Sequence, residues 1–326
     1  MRIELRIARH VGAVMLVMVG SMIGAAAHAA DFPSRALRYV VAFGPGGLND
    51  VVGRAYCQRM SEILGQPVIV DNRPGAGGNV GAELVARSTP DGHTMLSIST
   101  AHAIGKTLYS KLKYDLEKDL APVAQLGSAP LITVVHPGLP AKNLAEMVSQ
   151  ARSKRLAYGS GGVGVISHLS MEMFKHAAKF EATHVPYKGG GPALIDLLGG
   201  QVQLHTNDIG LVLPSVRAGK LRAVGMMTER RHPLQPDVPT YIEQGHKDFV
   251  MGNWIAVVVP KGTPKSAVDR LSTEFARVAR EPEIIKLFAE QGFDTTPLNA
   301  AQTEALIKAE VVRFGAAVKA SGAKAD

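Results

Sequence analysis

The sequence predicts an α/β protein of two domains, and three observations carry that prediction. Short apolar runs of strand length alternate with segments whose apolar residues recur every three or four positions. Glycine-rich turns join strand to helix at FGPGGLND (43–50), DNRPGAGGNVG (71–81) and GSGGVGVISHL (159–169). The chain has 326 residues, 46% of them hydrophobic, which is enough for two cores of ordinary size. Strands alternating with helices imply a mostly parallel sheet in each domain.

The first segment reads as an export signal. Arg2, Arg6 and Arg9 precede the apolar block VGAVMLVMVGSMIGAAA, and AHA at 27–29 places small residues at the −3 and −1 positions of a cleavage site. Glycines within the apolar block and the cleavage site behind it argue against a membrane anchor. There is no twin arginine and no cysteine at the end of the block. A signal peptide over residues 1–29, cut near Ala29, implies a periplasmic protein.

After it, LRYVVAF reads as a strand. Val51, Val52, Ala55, Tyr56, Met60, Ile63 and Leu64 then recur at helical spacing, with Asn49 or Asp50 as cap, Gly65 as terminator and Pro67 blocking continuation. PVIVD is a second strand, GAELVARS a helix, and PDGHTMLSIST a turn and third strand. APVAQLGSAPLITVVHP is long enough to cross between domains. A helix over Leu144–Ser153, the strand RLAYG and the third glycine loop follow. LSMEMFKHA, ATHVPY, KGGG, PALIDLLGG, VQLHTND, LVLPSVRAG (with Pro214) and LRAVGMM continue the alternation. NWIAVVVP is the last strand, and TPKSAVDRLSTEFARVAR, EPEIIKLFAEQG and AAQTEALIKAEVVRFGAAVKA are helices. A final strand followed by helices alone implies a return to the first domain. The expected division is 30–128 plus 255–326 for one domain and 129–254 for the other, with a cleft between.

Composition narrows the function. Loss of the signal peptide removes three Arg and one Glu, lowering the formal charge from +8 to +6. The remaining charges are interspersed, without a basic run or aromatic-interleaved stripe, so a nucleic-acid partner is not expected. A mild positive field suits small anions. The single Cys57 excludes an intramolecular disulfide and reads as a buried thiol.

Enzyme signatures fit poorly. Gly159, Gly161 and Gly164 form G-x-G-x-x-G, with Glu181 twenty residues beyond Gly161. That acidic residue should end the next strand, but Glu181 precedes ATHVPY. GPGGLND lacks the Gly-Lys-Ser/Thr of a phosphate loop, and neither G-x-S-x-G nor H-E-x-x-H occurs. His168 and His176 can share a helix face, but an isolated pair eight positions apart is far more often core or surface than a zinc site, so no metal or cofactor is expected. Asp208, just after a strand, is either the cap of the following helix or a cleft residue that accepts a ligand amine or gates selectivity. An exported enzyme using the glycine loops as an oxyanion or nucleotide site is the alternative to a binding protein.

FGPGGLND, VDNRPGAGGNVGAELVARSTPDGHTML, LYSKLKYDLEKDLAPVAQLG, GSGGVGVISHLSMEMFK, HVPYKGGGPALIDLLGGQV and VPTYIEQG…W…PKGTP occur in this order. Together they resemble the substrate-binding proteins of tripartite tricarboxylate transporters, the Bug family, across essentially all of the chain after the signal peptide. The resemblance implies a type II periplasmic-binding-protein fold: two α/β domains joined by crossing strands, closing on a small carboxylate (a di- or tricarboxylate, an amino acid or an aromatic acid) for a transporter or sensing system. It implies a monomer with membrane transporter subunits as partners and no catalytic role. It assigns Pro45, Gly46, Gly47 and Asp50 to one side of the ligand, and Ser160, Gly161, Gly164 and Ser167 to the other. Family position adds Asn79, Thr100, Ala101, Tyr187 and Asp208. The chain departs from the family at Gly44, where a second proline is usual, and at Val165, where a small hydroxyl residue is common. GHKDFVMGNW also lacks the usual Pro-Gly before the tryptophan.

Overall fold

A computed structural model describes residues 32–247, 249–321, 323 and 325; the expected signal peptide at 1–29 lies outside the described residues. In chain order the elements are β1 (Leu37–Val41), α1 (Leu48–Leu64), β2 (Val68–Asn72), a short 3-10 turn (Ala76–Gly78), α2 (Asn79–Ala86), β3 (Thr94–Ser99) and α3 (Thr100–Leu108). Next come β4 (Leu120–Val135), α4 (Leu144–Ser153), β5 (Ala157–Ser160), α5 (Ile166–Ala178), β6 (Thr183–Pro186), α6 (Gly190–Leu198), β7 (Leu204–Asp208), α7 (Ile209–Arg217) and β8 (Arg222–Met226). The chain closes with β9 (Gly252–Pro260), α8 (Lys265–Val278), α9 (Pro282–Ala289) and α10 (Ala300–Ser321). From Arg35 onward it is one unit by its internal contacts.

The nine strands run in the order β2-β1-β3-β9-β4-β7-β5-β6, with β8 also pairing with β4. At one end β1 lies parallel to β2 and β3; at the other, β5 lies parallel to β6 and β7. The centre differs from the expected mostly parallel pattern. There β9 is antiparallel to β3, and β4 is antiparallel to β9, β7 and β8. The reason is that β4 and β9 carry the chain back and forth through the middle, where no crossover helix is needed. Leu120–Pro130 of β4 pairs with β9, while Leu131–Val135 pairs with β7, so one strand serves both halves. The long apolar run in the sequence is this crossing strand.

Packing follows from the pattern. Helix α10 lays Ile307, Phe314 and Val318 onto the core that contains Ala103, Ile104 and Leu108 of α3, so the C-terminal helix returns to the first half. Buried Trp254 of β9 donates from Nε1 to Glu310 Oε2 of that helix at 2.9 Å. Around Phe174 of α5, the rings of Phe180, Tyr241 and Phe249 lie edge-on at 5.0–5.6 Å between centroids and fix the second half. The carboxyl ends of the parallel strands in both halves face the same crevice, where α/β sheets bind ligands.

One crossing point has no spare room. At Gly127 of β4 an added Cβ would stand 2.1 Å from the Asp294 carbonyl and 2.6 Å from Phe293 Cε1. Gly127→Ala is expected to cost about 2–3 kcal/mol through overpacking, lowering the melting temperature by roughly 4–10 °C. Calorimetry of the variant checks this, and a change of about one degree or less would contradict it.

Candidate functional site

The loop after β1 is shaped by a carboxylate beneath it. Gly46 takes φ +79°, which favours glycine, and its amide donates to Asp50 Oδ2 at 3.0 Å. Arg54 Nε donates to the same oxygen at 3.0 Å. Asn72 Nδ2 donates to Asp50 Oδ1 and to the Phe43 carbonyl, both at 3.0 Å. Burial opposes ionisation of Asp50, but the bonds from Arg54, Gly46 and Asn72 outweigh it and hold the carboxyl below its ordinary range. Neither Asn49 nor Asp50 caps α1 as the sequence suggested. Gly47 occupies the cap position with no side-chain bond, because Asp50 turns back to the loop instead.

The loop after β5 is braced in a comparable way. The Gly161 amide donates to Ser167 Oγ at 3.1 Å, and the Gly164 amide to His168 Nδ1 at 3.3 Å. Ser160 Oγ lies 2.6 Å from His184 Nε2, and His184 is stacked between Tyr158 and His168. Burial, with help from His168, pulls His184 down to about 4 and keeps the pair uncharged near neutrality. Tyr187 donates from its amide to the Ser160 carbonyl at 3.0 Å and from its hydroxyl to Asp196 Oδ2 at 2.6 Å. The Gly189 amide donates to the Gly161 carbonyl at 3.0 Å, joining the KGGG turn to this loop.

At the end of β3, Ser99 caps α3: its Oγ accepts from the Ala101 amide at 3.4 Å, and His102 Nδ1 accepts from the Ser99 amide at 3.1 Å. Thr100 Oγ1 donates to the Gly252 carbonyl at 3.3 Å and accepts from the Trp254 amide at 3.1 Å, tying α3 to β9. Asn79 accepts from the Tyr114 hydroxyl at 2.8 Å and donates to the Ala76 carbonyl at 2.7 Å.

At the end of β7 the polar groups form a chain with assigned protons. His205 Nδ1 donates to the Gly159 carbonyl at 2.7 Å, and its Nε2 accepts from Asn207 Nδ2 at 2.8 Å. Asn207 Oδ1 then accepts from the Asp208 amide at 2.8 Å. The ring is therefore neutral, consistent with burial drawing His205 down to about 4. Asp208 stands at the cap position of α7, but its side chain does not cap the helix. Its Oδ2 accepts from Asn253 Nδ2 at 3.3 Å, while buried Oδ1 has no partner. Burial raises this carboxyl to about 7, opposed only by the Asn253 bond.

These pieces surround one cleft of about 260 Å³. Pro45, Gly47, Ala101, Gly161, Ser167 and Asp208 line it. Gly46, Asp50, Asn79, Thr100, Ser160, Gly164 and Tyr187, expected at the ligand, are not part of the wall, and their hydrogen bonds are those given above. The sequence reading missed Asn49, Ser99, Lys188, Gly189, Gly190, Asn207 and Asn253, which also line the cleft. The KGGG turn between a strand and a helix was a usable signal, whereas Asn253 reaches the cleft only because β9 crosses the centre. Helices α1, α3, α5, α6 and α7 all begin at this wall. Their first amides have no carbonyl within the helix to pair with, so they and the helix dipoles present positive potential. The cleft is narrow at Gly44, where an added Cβ would be 3.1 Å from the Lys188 carbonyl. Tyr109 donates to the Val163 carbonyl at 2.9 Å, joining the end of α3 to the loop before α5.

Other candidates stand apart. The Glu181 side chain is 95% exposed, away from any nucleotide-binding geometry. His168 is buried and His176 exposed, so they do not share a face. Among the described residues no group of three His, Cys, Asp or Glu could hold a metal ion, and no helix is long and apolar enough to cross a membrane. Cys57 is buried, which pushes its thiol above the ordinary range.

A family model described as "Tripartite tricarboxylate transporter family receptor" matches residues 52–323. Protein BugT of Bordetella pertussis is 35% identical over 319 residues, covering 95% of this chain and 98% of that protein. Among solved structures, R. palustris Rpa4515 with adipate has a TM-score of 0.86 at 32% identity, covering 90% of this chain and 99% of that one. MatC from Rhodopseudomonas palustris with bound malate has a TM-score of 0.82 at 32% identity, covering 88% and 100%.

The Asp50 brace has a pH signature. Because its folded value is depressed, its contribution is present above the ordinary unfolded value and is lost as pH falls through the folded one. Asp50→Asn should cost about 1–3 kcal/mol at neutral pH, and the deficit should shrink in acid. Urea unfolding at pH 7 and near pH 3 checks the sign; a deficit that is constant or grows in acid would contradict it.

Proposed function

The chain belongs to the tripartite tricarboxylate transporter family of receptors, and we propose on that premise that it captures a small organic carboxylate in the cleft described above and delivers it to a membrane transporter or a sensing system. The observation that carries this reading is the convergence of five helix N-termini on one cleft. Amide-to-carboxylate bonds are charge-assisted, and glycines at 47, 161 and 189–191 let the ligand approach the backbone closely. Adipate and malate, the carboxylates in the two similar structures, are in keeping with such a site.

In this reading the two domains are residues 30–128 plus 255–326 and residues 129–254, articulated where β4 and β9 cross. A ligand touching loops of both favours the closed form, because only that form makes both sets of contacts. Export through a signal peptide cleaved near Ala29 puts the protein in the periplasm. The chain acts by binding rather than turnover: Ser160 and His184 approach each other, but Ser160 is buried behind the loop and is not part of the cleft wall.

Two measurements test this. A carboxylate at about a hundred times its Kd should stabilise the ligand-stripped protein by roughly 2.7 kcal/mol. If mono-, di- and tricarboxylates and amino acids all left the melting temperature unmoved, the reading would fail. Gly47→Asp places a negative charge at the α1 N-terminus, where an added Cβ meets only the Gly44 carbonyl at 3.8 Å. It should weaken carboxylate binding at least a hundredfold while leaving the unliganded melting temperature within a few degrees. Retained affinity would remove that loop from the site.

A further inference from the structure

The cleft holds one feature that anion binding does not explain. Asp208 is only 7% exposed, lines the cavity, and leaves Oδ1 without a hydrogen-bond partner. A buried unpartnered carboxylate oxygen is costly unless something donates to it. The neighbouring side-chain amides are directed elsewhere. Asn253 already donates to Oδ2, and Asn207 is committed to His205 and to the Asp208 amide. Asn49, on the same wall, also has a buried unpartnered Oδ1.

We propose that the ligand is an amino acid, its carboxylate held by the helix amides and its ammonium group taken by Asp208 Oδ1. This inference rests on the carboxylate reading of the cleft and adds the second charge. A zwitterion matches a wall that presents amide N–H groups and a single acidic side chain. The only basic side chain of the wall, Lys188, is exposed. An ammonium group carries three protons and can donate one to Asp208 Oδ1.

The electrostatics give the inference a direction. Asp208 and Lys188 are the titratable side chains of the wall. Behind Asp208, His205 is neutral, and the facing positions on β4 and β9 are Leu131 and Asn253. Burial lifts the Asp208 carboxyl to about 7 in the unliganded protein. An ammonium ligand binds the ionised form and lowers that value in the complex. Amino-acid affinity should therefore be full above pH 7 and fall toward tenfold per unit below it. A dicarboxylate sharing the Asp208 proton would show the opposite slope.

The experiment uses matched pairs that differ only by the amino group: leucine and 4-methylpentanoate, phenylalanine and 3-phenylpropanoate, aspartate and succinate, glutamate and glutarate. Titration calorimetry on ligand-stripped protein should show, in at least one pair, the amino member binding ten times or more tightly than its partner. Asp208→Asn should remove most of that preference and its pH dependence, without lowering the unliganded melting temperature. Should the variant fail to fold, the slope of amino-acid affinity between about pH 5.5 and 8 on the unaltered protein decides the matter. If the desamino acids bind equally or better, with affinity rising in acid, this inference falls and the carboxylate reading stands. If no member of any pair binds, both fall.

Discussion

The passage of β4 and β9 through the centre of a single sheet is the constraint on which the rest of the molecule depends. A parallel trio on each side would otherwise have no fixed relation to the other. Sharing β4 between β9 and β7 turns the carboxyl ends of both trios toward one crevice. The helices that follow those strands then open into it. Close contacts at Gly127, the paired Ser128–Asp294 backbone bonds and the Trp254–Glu310 bond fasten the crossing to the C-terminal helices. Positive potential in the cleft is a product of topology before it is a product of any side chain.

That origin explains the division of labour around the cleft. The wall is largely backbone and carbon, and polar side chains in it and behind it fix the backbone. Asp50, Asn72 and Arg54 set the first loop; Ser167, His168 and His184 set the second; Ser99 and His102 set the start of α3. Such groups keep the amides aimed through hydrogen bonds made within the protein. Asp208 and Asn49 depart from this pattern, each being part of the wall with an Oδ1 that lacks a partner, and Asp208 is the acidic one.

Much of this architecture was legible from local pattern. The helix read over Leu144–Ser153 has those bounds, and Gly65 ends α1 with the left-handed conformation its position suggested. The strand that closes the alternation does lead into helices packed on the first half. What the sequence did not convey depends on partners distant in the chain. Whether Asp50 caps its own helix or turns back to Gly46 depends on Asn72, far along the chain, as well as on Arg54 one turn away. The antiparallel centre follows from where β9 re-enters, and Asn253 joins the cleft for the same reason. Asp208 was recognisable as a choice between helix cap and ligand contact; its unpartnered oxygen appears only once Asn207 and Asn253 are seen to be committed.

The central claim is that one anion engages amides from both halves of the sheet at once. Hydrogen exchange read by mass spectrometry, with the most tightly bound carboxylate and without it, addresses that directly. The account predicts that peptides covering 43–54 and 160–169 gain protection together and with the same concentration dependence. Protection confined to one of the two would contradict a ligand held between them.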